Sequence, residues 1–178
     1  MRVVVGMLVA RFAGAGNADA ANRTVYQAFL AAVIMGVGVL APLGYVAAPW
    51  LLTMVHAAPE VQQAALPFLR IMFLASSGMM VFFMLGGALR SAGDAKTGLL
   101  LGVALTAMNI TFNVILIRGL GPIPAFGTKG AAMGTCTASG LLAIFALYRL
   151  TRGGWVIGFP KGQGYAPDWN IIKSLFKF

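Results

Sequence analysis

The sequence predicts an all-α integral membrane protein with four full transmembrane helices and a truncated helix at the N-terminus. Three observations lead there. First, 60% of its 178 residues are hydrophobic, against about 45–50% in soluble domains. At about 20 residues per crossing, that content fills four or five spans. Second, charged residues make up only 10% of the chain, where a soluble protein carries about 25%, so a soluble enzyme is excluded. Third, thirteen Lys/Arg stand against four Asp/Glu, for a net charge of +9. In a membrane chain such an excess marks the loops that stay in the cytoplasm, and this favours the lipid bilayer over nucleic acid as partner.

The opening MRVVVGMLVARFAGAG holds a short apolar run, Val3 to Ala10, with Arg11 directly after it and no secretory cleavage pattern. It is too short to cross and reads as the tail of a helix whose beginning is missing. The first full apolar stretch, from about Val25 to Val55, is interrupted by Pro42 and Pro49. A tilted or kinked helix ending near Ala48, followed by an interfacial segment, is expected. The second span runs from about Pro67 to Leu89, with Pro67 in the first turn, the third from Thr97 to Ile117, and the fourth from about Lys129 to Leu150.

The loops test this layout. Arg11 and Arg23, then Arg90 and Lys96, then Arg149, Arg152, Lys161, Lys173 and Lys177 mark alternate connections, whereas His56 to Leu66 has no Lys or Arg. Arg118 and Lys129, flanking the remaining loop, are the weak point. The alternation places Arg11 to Thr24, Arg90 to Lys96 and the C-terminal segment in the cytoplasm. Residues 1–150 form the transmembrane part and residues 151–178 a cytoplasmic linker. The linker ends in an amphipathic helix with Asp168 near its N-cap and Trp169, Ile172 and Phe176 on one face. It leads toward a further membrane segment.

Polar residues locate candidate chemistry. No Asp or Glu falls within a predicted span, so the chain carries no evident proton site of its own. In the third span Gly102, Thr106, Asn109 and Asn113 recur at steps of four, three and four and share one helical face. Two amides there belong toward the bundle interior or a wet cavity, for interhelical hydrogen bonding, for transport, or for both. The fourth span carries Gly130 and Gly134, four apart, which suits close helix packing. Thr135 and Ser139 follow, with hydroxyls that could face a cavity. Met72, Met79, Met80 and Met84, with Phe73, Phe82 and Phe83, form an adaptable apolar surface on the second span. Of these, Met80 and Met84, with Ser139, are candidates to face substrate, although lipid or core contact is the ordinary role of such residues. His56, beside Ala57-Ala58-Pro59, reads as a solvated interface residue. Cys136 is the single cysteine and forms no internal disulfide. No phosphate loop, zinc-ligand spacing or nucleophile elbow occurs, so no enzyme activity, metal or cofactor is expected.

Three stretches, FAGAGNADAAN (Phe12 to Asn22), ALRSAGDAKTG (Ala88 to Gly98) and GLGPIPAFGTKGAAMGT (Gly119 to Thr135), resemble in order and spacing the multidrug and toxic compound extrusion (MATE) family. The middle stretch resembles that family's Leu-Arg-Gly-x-Gly-Asp-Thr loop, kept at Leu89, Arg90, Gly93 and Asp94. It departs at Ser91, Ala95 and Gly98, where Gly, Thr and Pro are commoner. Arg90, Gly93 and Asp94 are read as a structural turn.

The resemblance implies the second through sixth helices of a six-helix N-terminal lobe, lacking the first helix and the C-terminal lobe. It also implies a multi-pass protein of the plasma or inner membrane that exchanges H+ or Na+ for small organic cations or drugs by alternating access. Asn109, Asn113 and Thr135 stand where relatives surround an acidic residue of the first helix; here the second amide position is Asn113, not an Asp. Two alternatives remain. A lipid-linked oligosaccharide flippase of the same superfamily calls for a more cationic cavity, and is disfavoured on the expectation that the spans hold no Lys or Arg. A small non-transporting scaffold would oligomerise through Gly130 and Gly134.

Overall fold

The structure, a computed structural model, describes residues 2–159; the amphipathic helix expected around Asp168 lies outside them. Seven α-helices follow in order: α1 (Arg2–Gly14), α2 (Ala18–Val33), α3 (Ala41–Met54), α4 (Pro59–Leu74), α5 (Ser76–Ser91), α6 (Ala95–Arg118) and α7 (Thr128–Arg152). A π-helical segment, Ile34–Leu40, joins α2 to α3. No strand occurs among the described residues. Among the described residues three stretches are long and apolar enough to cross a membrane, Ala18–Met54, Ala95–Arg118 and Thr128–Arg152, and the number is four when the bent pair α4 and α5 is counted as one span. At 1.5 Å per residue α1 is about 20 Å long, short of a bilayer core of about 30 Å.

Two boundaries differ from the sequence expectation. The first span does not end near Ala48: α3 continues through Pro49 to Met54. Buried Ala48 and Leu52 lie on either side of Pro49, and their packing holds the helix across the one hydrogen bond that proline removes. Pro42 sits in the first turn of α3, directly after the π segment. The wider π turn leaves room for its ring where an α-turn would drive it into the carbonyl four residues back.

The second span does not start at Pro67. It starts at Pro59, with Ala58 extended (ψ 148°) as residues before proline tend to be, and Pro67 lies inside α4. The span then breaks at Ala75, where α4 and α5 meet at a bend of 52°. The break is followed directly by Ser76-Ser77-Gly78, weak helix formers of the kind that favour kinks.

The described residues divide into two compact units. One contains 2–33, 80–103 and 142–159. Its core includes Val5, Val9, Val25, Leu85 and Leu89, and Phe29, Val33 and Met80 pack against buried Ala32, Val81 and Ala143. Beyond α7 the chain folds back: the Gly158 N–H donates to Asn22 Oδ1 (2.8 Å), Ile157 is buried, and the Phe159 ring meets Tyr26 edge-on at 5.2 Å.

In the same unit the turn between α5 and α6 is built by Gly93 and Asp94. Gly93 takes φ +91°, its N–H bonds the Arg90 carbonyl, and the Asp94 N–H bonds the Leu89 carbonyl, which closes α5 with a left-handed residue. Asp94 Oδ1 then accepts the Thr97 N–H at 3.0 Å and caps α6. The Thr97 hydroxyl and N–H hold the Asp94 carboxyl below its ordinary value. The Arg90 side chain runs over Gly98, where a Cβ would come 3.2 Å from Arg90 Cγ. That contact accounts for glycine at a position where proline is commoner in the resembling family.

The second unit contains 34–79 and 104–141. Here the π segment and the break of the α4–α5 pair touch. A Cβ on Gly36 would stand 2.5 Å from Ser77 Cα, and the Ser76 hydroxyl lies 3.5 Å from the Gly36 carbonyl. Farther along the same pair of helices, the Phe73 ring occupies the space of the missing Gly44 side chain. His56, exposed, ends α3 in the left-handed region at φ +50°, with its N–H bonded to the Thr53 carbonyl and that of Ala57 to Leu52. It therefore fills the place glycine usually takes after a helix.

Candidate functional site

The polar face of α6 meets α7 where α7 has no side chain. Gly130 and Gly134 are buried, and a Cβ on Gly130 would run into the Leu116 carbonyl, one on Gly134 into the Asn113 carboxamide. Glycines four apart thus let the α7 backbone lie directly on α6. Because α6 covers both, the surface that a scaffold oligomer would need is occupied within the chain.

At this contact three of the sequence-predicted residues form one directed chain. The Thr135 hydroxyl donates to the Ala131 carbonyl at 3.0 Å, so its oxygen is left to accept. Asn109 Nδ2 donates to it at 3.1 Å, and Asn113 Nδ2 donates to Asn109 Oδ1 at 2.9 Å. Since a hydroxyl has one proton and an amide one oxygen and one NH2, the first bond dictates the orientation of both amides. The remaining acceptor, Asn113 Oδ1, is buried and has no hydrogen-bond partner. A buried carbonyl oxygen without a donor is costly, and it is satisfied by a proton donor or a cation. The cluster contains no carboxylate, and no group of three or more His, Cys, Asp or Glu suited to a metal occurs among the described residues.

The other candidates lie elsewhere. Thr106 is on the α6 face one turn before Asn109 and is exposed. The buried Ser139 hydroxyl donates to the Thr135 and Cys136 carbonyls of its own helix (2.9 and 3.2 Å). Met84 is 3% exposed and Met80 packs on the Ala32 cluster. An open, mainly apolar groove of about 480 Å³ lies between α4 and the start of α7, lined by Glu60, Phe68, Thr128 and Ala131 among others.

One residue contradicts the expectation that the spans hold no Lys or Arg. Arg70 lies in α4, inside the bent span, with its guanidinium 4.6 Å above the Tyr45 ring centroid and its Nε buried without a hydrogen-bond partner. The signal is visible in the sequence as a single cation in the run Phe68-Leu69-Arg70-Ile71-Met72-Phe73. An average hydropathy over the span absorbs it.

Comparison with known proteins agrees with the fold. Probable multidrug resistance protein NorM of Geobacillus kaustophilus is 26% identical over 176 residues, 96% of this chain and 37% of that protein. An outward-facing multidrug resistance MATE family transporter of the MOP superfamily superposes with a TM-score of 0.85 at 23% identity, over 98% of this chain and 38% of that one. An inward-facing one superposes with a TM-score of 0.79 at 24% identity, over 99% and 39%. The chain spans a little over a third of the length of the relatives it matches, and these relatives are transporters rather than enzymes. With the MatE family model matching residues 2–115, across three of the four spans, the chain belongs to the MATE family of multidrug efflux transporters.

Proposed function

We propose that the chain forms the N-lobe part of a cation-coupled multidrug antiporter of the plasma or inner membrane. It exports small organic cations or drugs in exchange for H+ or Na+ by alternating access. The Lys/Arg distribution supports a cytoplasmic position for Arg11 to Thr24, the Arg90 to Lys96 turn and the C-terminal segment.

The observation that carries this reading is the unsatisfied Asn113 Oδ1 at the end of the Thr135, Asn109, Asn113 chain. The cluster offers neutral oxygen and has no titrating group, so its part is to orient and stabilise. Asn113 Oδ1 is positioned to accept from a protonated acid or to ligate a monovalent cation. On the family resemblance that acid comes from the helix before α1. Rigid packing at Gly130 and Gly134 keeps the amides in register as the lobes rock. The relatives' description as multidrug resistance proteins supports the substrate class.

The experiment is ethidium export by the full natural protein in a drug-sensitive host. Asn109→Ala is expected to lower cation-coupled export about tenfold, whereas unchanged resistance and unchanged transport would remove Asn109 from the site. Arg70 favours the flippase reading at one point, since that activity calls for cationic cavity groups. One guanidinium against a cluster of neutral amides leaves antiport the better supported.

A further inference from the structure

We infer that Arg70 and Tyr45 form a second ligand contact, selective for the oxyanion of an amphiphilic solute such as an aromatic carboxylate. This inference rests on the transporter reading for its setting, and it concerns different helices and the opposite ligand charge.

Local geometry fixes the pair. Gly44 lets the Phe73 ring press against the α3 backbone. Arg70 is three residues before Phe73 and so shares its face of α4, while Tyr45 adjoins Gly44. The contact that locks α3 to α4 thus also brings the guanidinium over the phenol ring, at 4.6 Å. A stacked guanidinium is attracted through its face, whereas its five N–H donors point outward in the plane of the group. Tyr45 holds the cation in place, and the buried Nε is left without a hydrogen-bond partner.

Among the described residues of its own unit the charge has no nearby counterpart. A guanidinium stays protonated in proteins. Within 34–79 and 104–141 the only acid is Glu60, ten residues earlier on α4 and about 15 Å away along the helix at 1.5 Å per residue. Intramembrane cations are costly and are kept where they pair or mark a ligand path. A planar donor edge of this kind matches carboxylate or phosphate oxygens. One turn after Arg70 on the same face of α4, Leu74 is exposed, an apolar neighbour for the body of an amphiphilic anion rather than for a free inorganic one.

The test is equilibrium binding to the full natural protein in phosphatidylcholine nanodiscs. The probes are radiolabelled salicylate, its neutral isostere salicylamide, and the cation ethidium. The expected result is a tenfold or greater preference for salicylate over salicylamide. Arg70→Gln should abolish that preference and Arg70→Lys retain part of it, with ethidium affinity within twofold of wild type in both. Equal binding of salicylate and salicylamide, or salicylate affinity unchanged in Arg70→Gln, would overturn the inference. So would the absence of salicylate binding, which is the result if a carboxylate outside the described residues, or solvent reached by snorkelling, already satisfies Arg70. Failure of the transporter reading has a separate signature, loss of ethidium export with the Arg70-dependent salicylate preference intact.

Discussion

Asn113 and Gly134 face each other across the α6–α7 contact so closely that a single added methyl group at residue 134 would overlap the Asn113 carboxamide oxygen. The glycine therefore does two things. It lets the helix backbones meet, and it shapes the space in which Asn113 Oδ1 remains without a donor.

Gly134→Ala is accordingly expected to displace the Asn113 amide and break its hydrogen bond to Asn109. Overpacking of this kind costs about 1–3 kcal/mol. Both the thermal midpoint in nanodiscs and ethidium export should fall, the latter about tenfold. Gly140→Ala, on the same helix with nothing within 4 Å of its Cβ position, should be neutral or stabilising by about 0.5–1 kcal/mol.

Gly36 and Gly38 make a matched pair in the π segment. A Cβ on Gly36 meets the Ser77 backbone at 2.5 Å, and one on Gly38 meets nothing. Gly36→Ala should lower the thermal midpoint, by a loss on the order of 1–3 kcal/mol, and Gly38→Ala should not. Equal midpoints for the two variants would show that the π segment and the α4–α5 break do not depend on their contact.

Asp94 gives a pH dependence with a definite sign. Its carboxyl is held below the ordinary 3.8 by the Thr97 hydroxyl and N–H, so the cap contributes stability above that value. The contribution is lost as pH falls through the lower, folded value. Asp94→Ala should be less stable than wild type at pH 7, with the gap narrowing only below about pH 3.8. A gap unchanged at pH 3 would contradict the cap. Thermal scans of both proteins across that range decide it.

At His56 the left-handed backbone (φ +50°) penalises any residue with a Cβ by about 1–2 kcal/mol, more for a branched one. His56→Gly should raise the thermal midpoint and His56→Val lower it. The reverse order would assign His56 a side-chain contact that outweighs the backbone.

The spans were legible in the sequence because length and apolar content are summed properties, and a helix crossing lipid satisfies its own backbone whatever its neighbours do. The Asn109, Asn113 face was legible because helical spacing alone puts residues four apart on one side. What sequence could not place were features set by a second helix. The π segment exists where Gly36 lies against Ser77, and α3 survives Pro49 because Ala48 and Leu52 are packed. Pro59 and Pro67 both suit a first turn, and the structure uses the earlier one. The partnering of Thr135 with Asn109 joins residues 26 apart in sequence, so the family resemblance pointed to the pair where periodicity could not. Arg70 was readable in the chain, yet its meaning comes from Tyr45 beneath it.

The most direct measurement of coupling through the amide cluster is gradient-driven ethidium transport by the full natural protein in proteoliposomes. Wild type, Asn113→Leu and Asn113→Gln are compared under imposed H+ and Na+ gradients, with ethidium binding measured in parallel. If Asn113 Oδ1 serves the coupling cation, Asn113→Leu loses at least tenfold of the gradient-dependent rate, Asn113→Gln keeps part of it, and all three bind ethidium alike. A gradient-dependent rate for Asn113→Leu within twofold of wild type would contradict it.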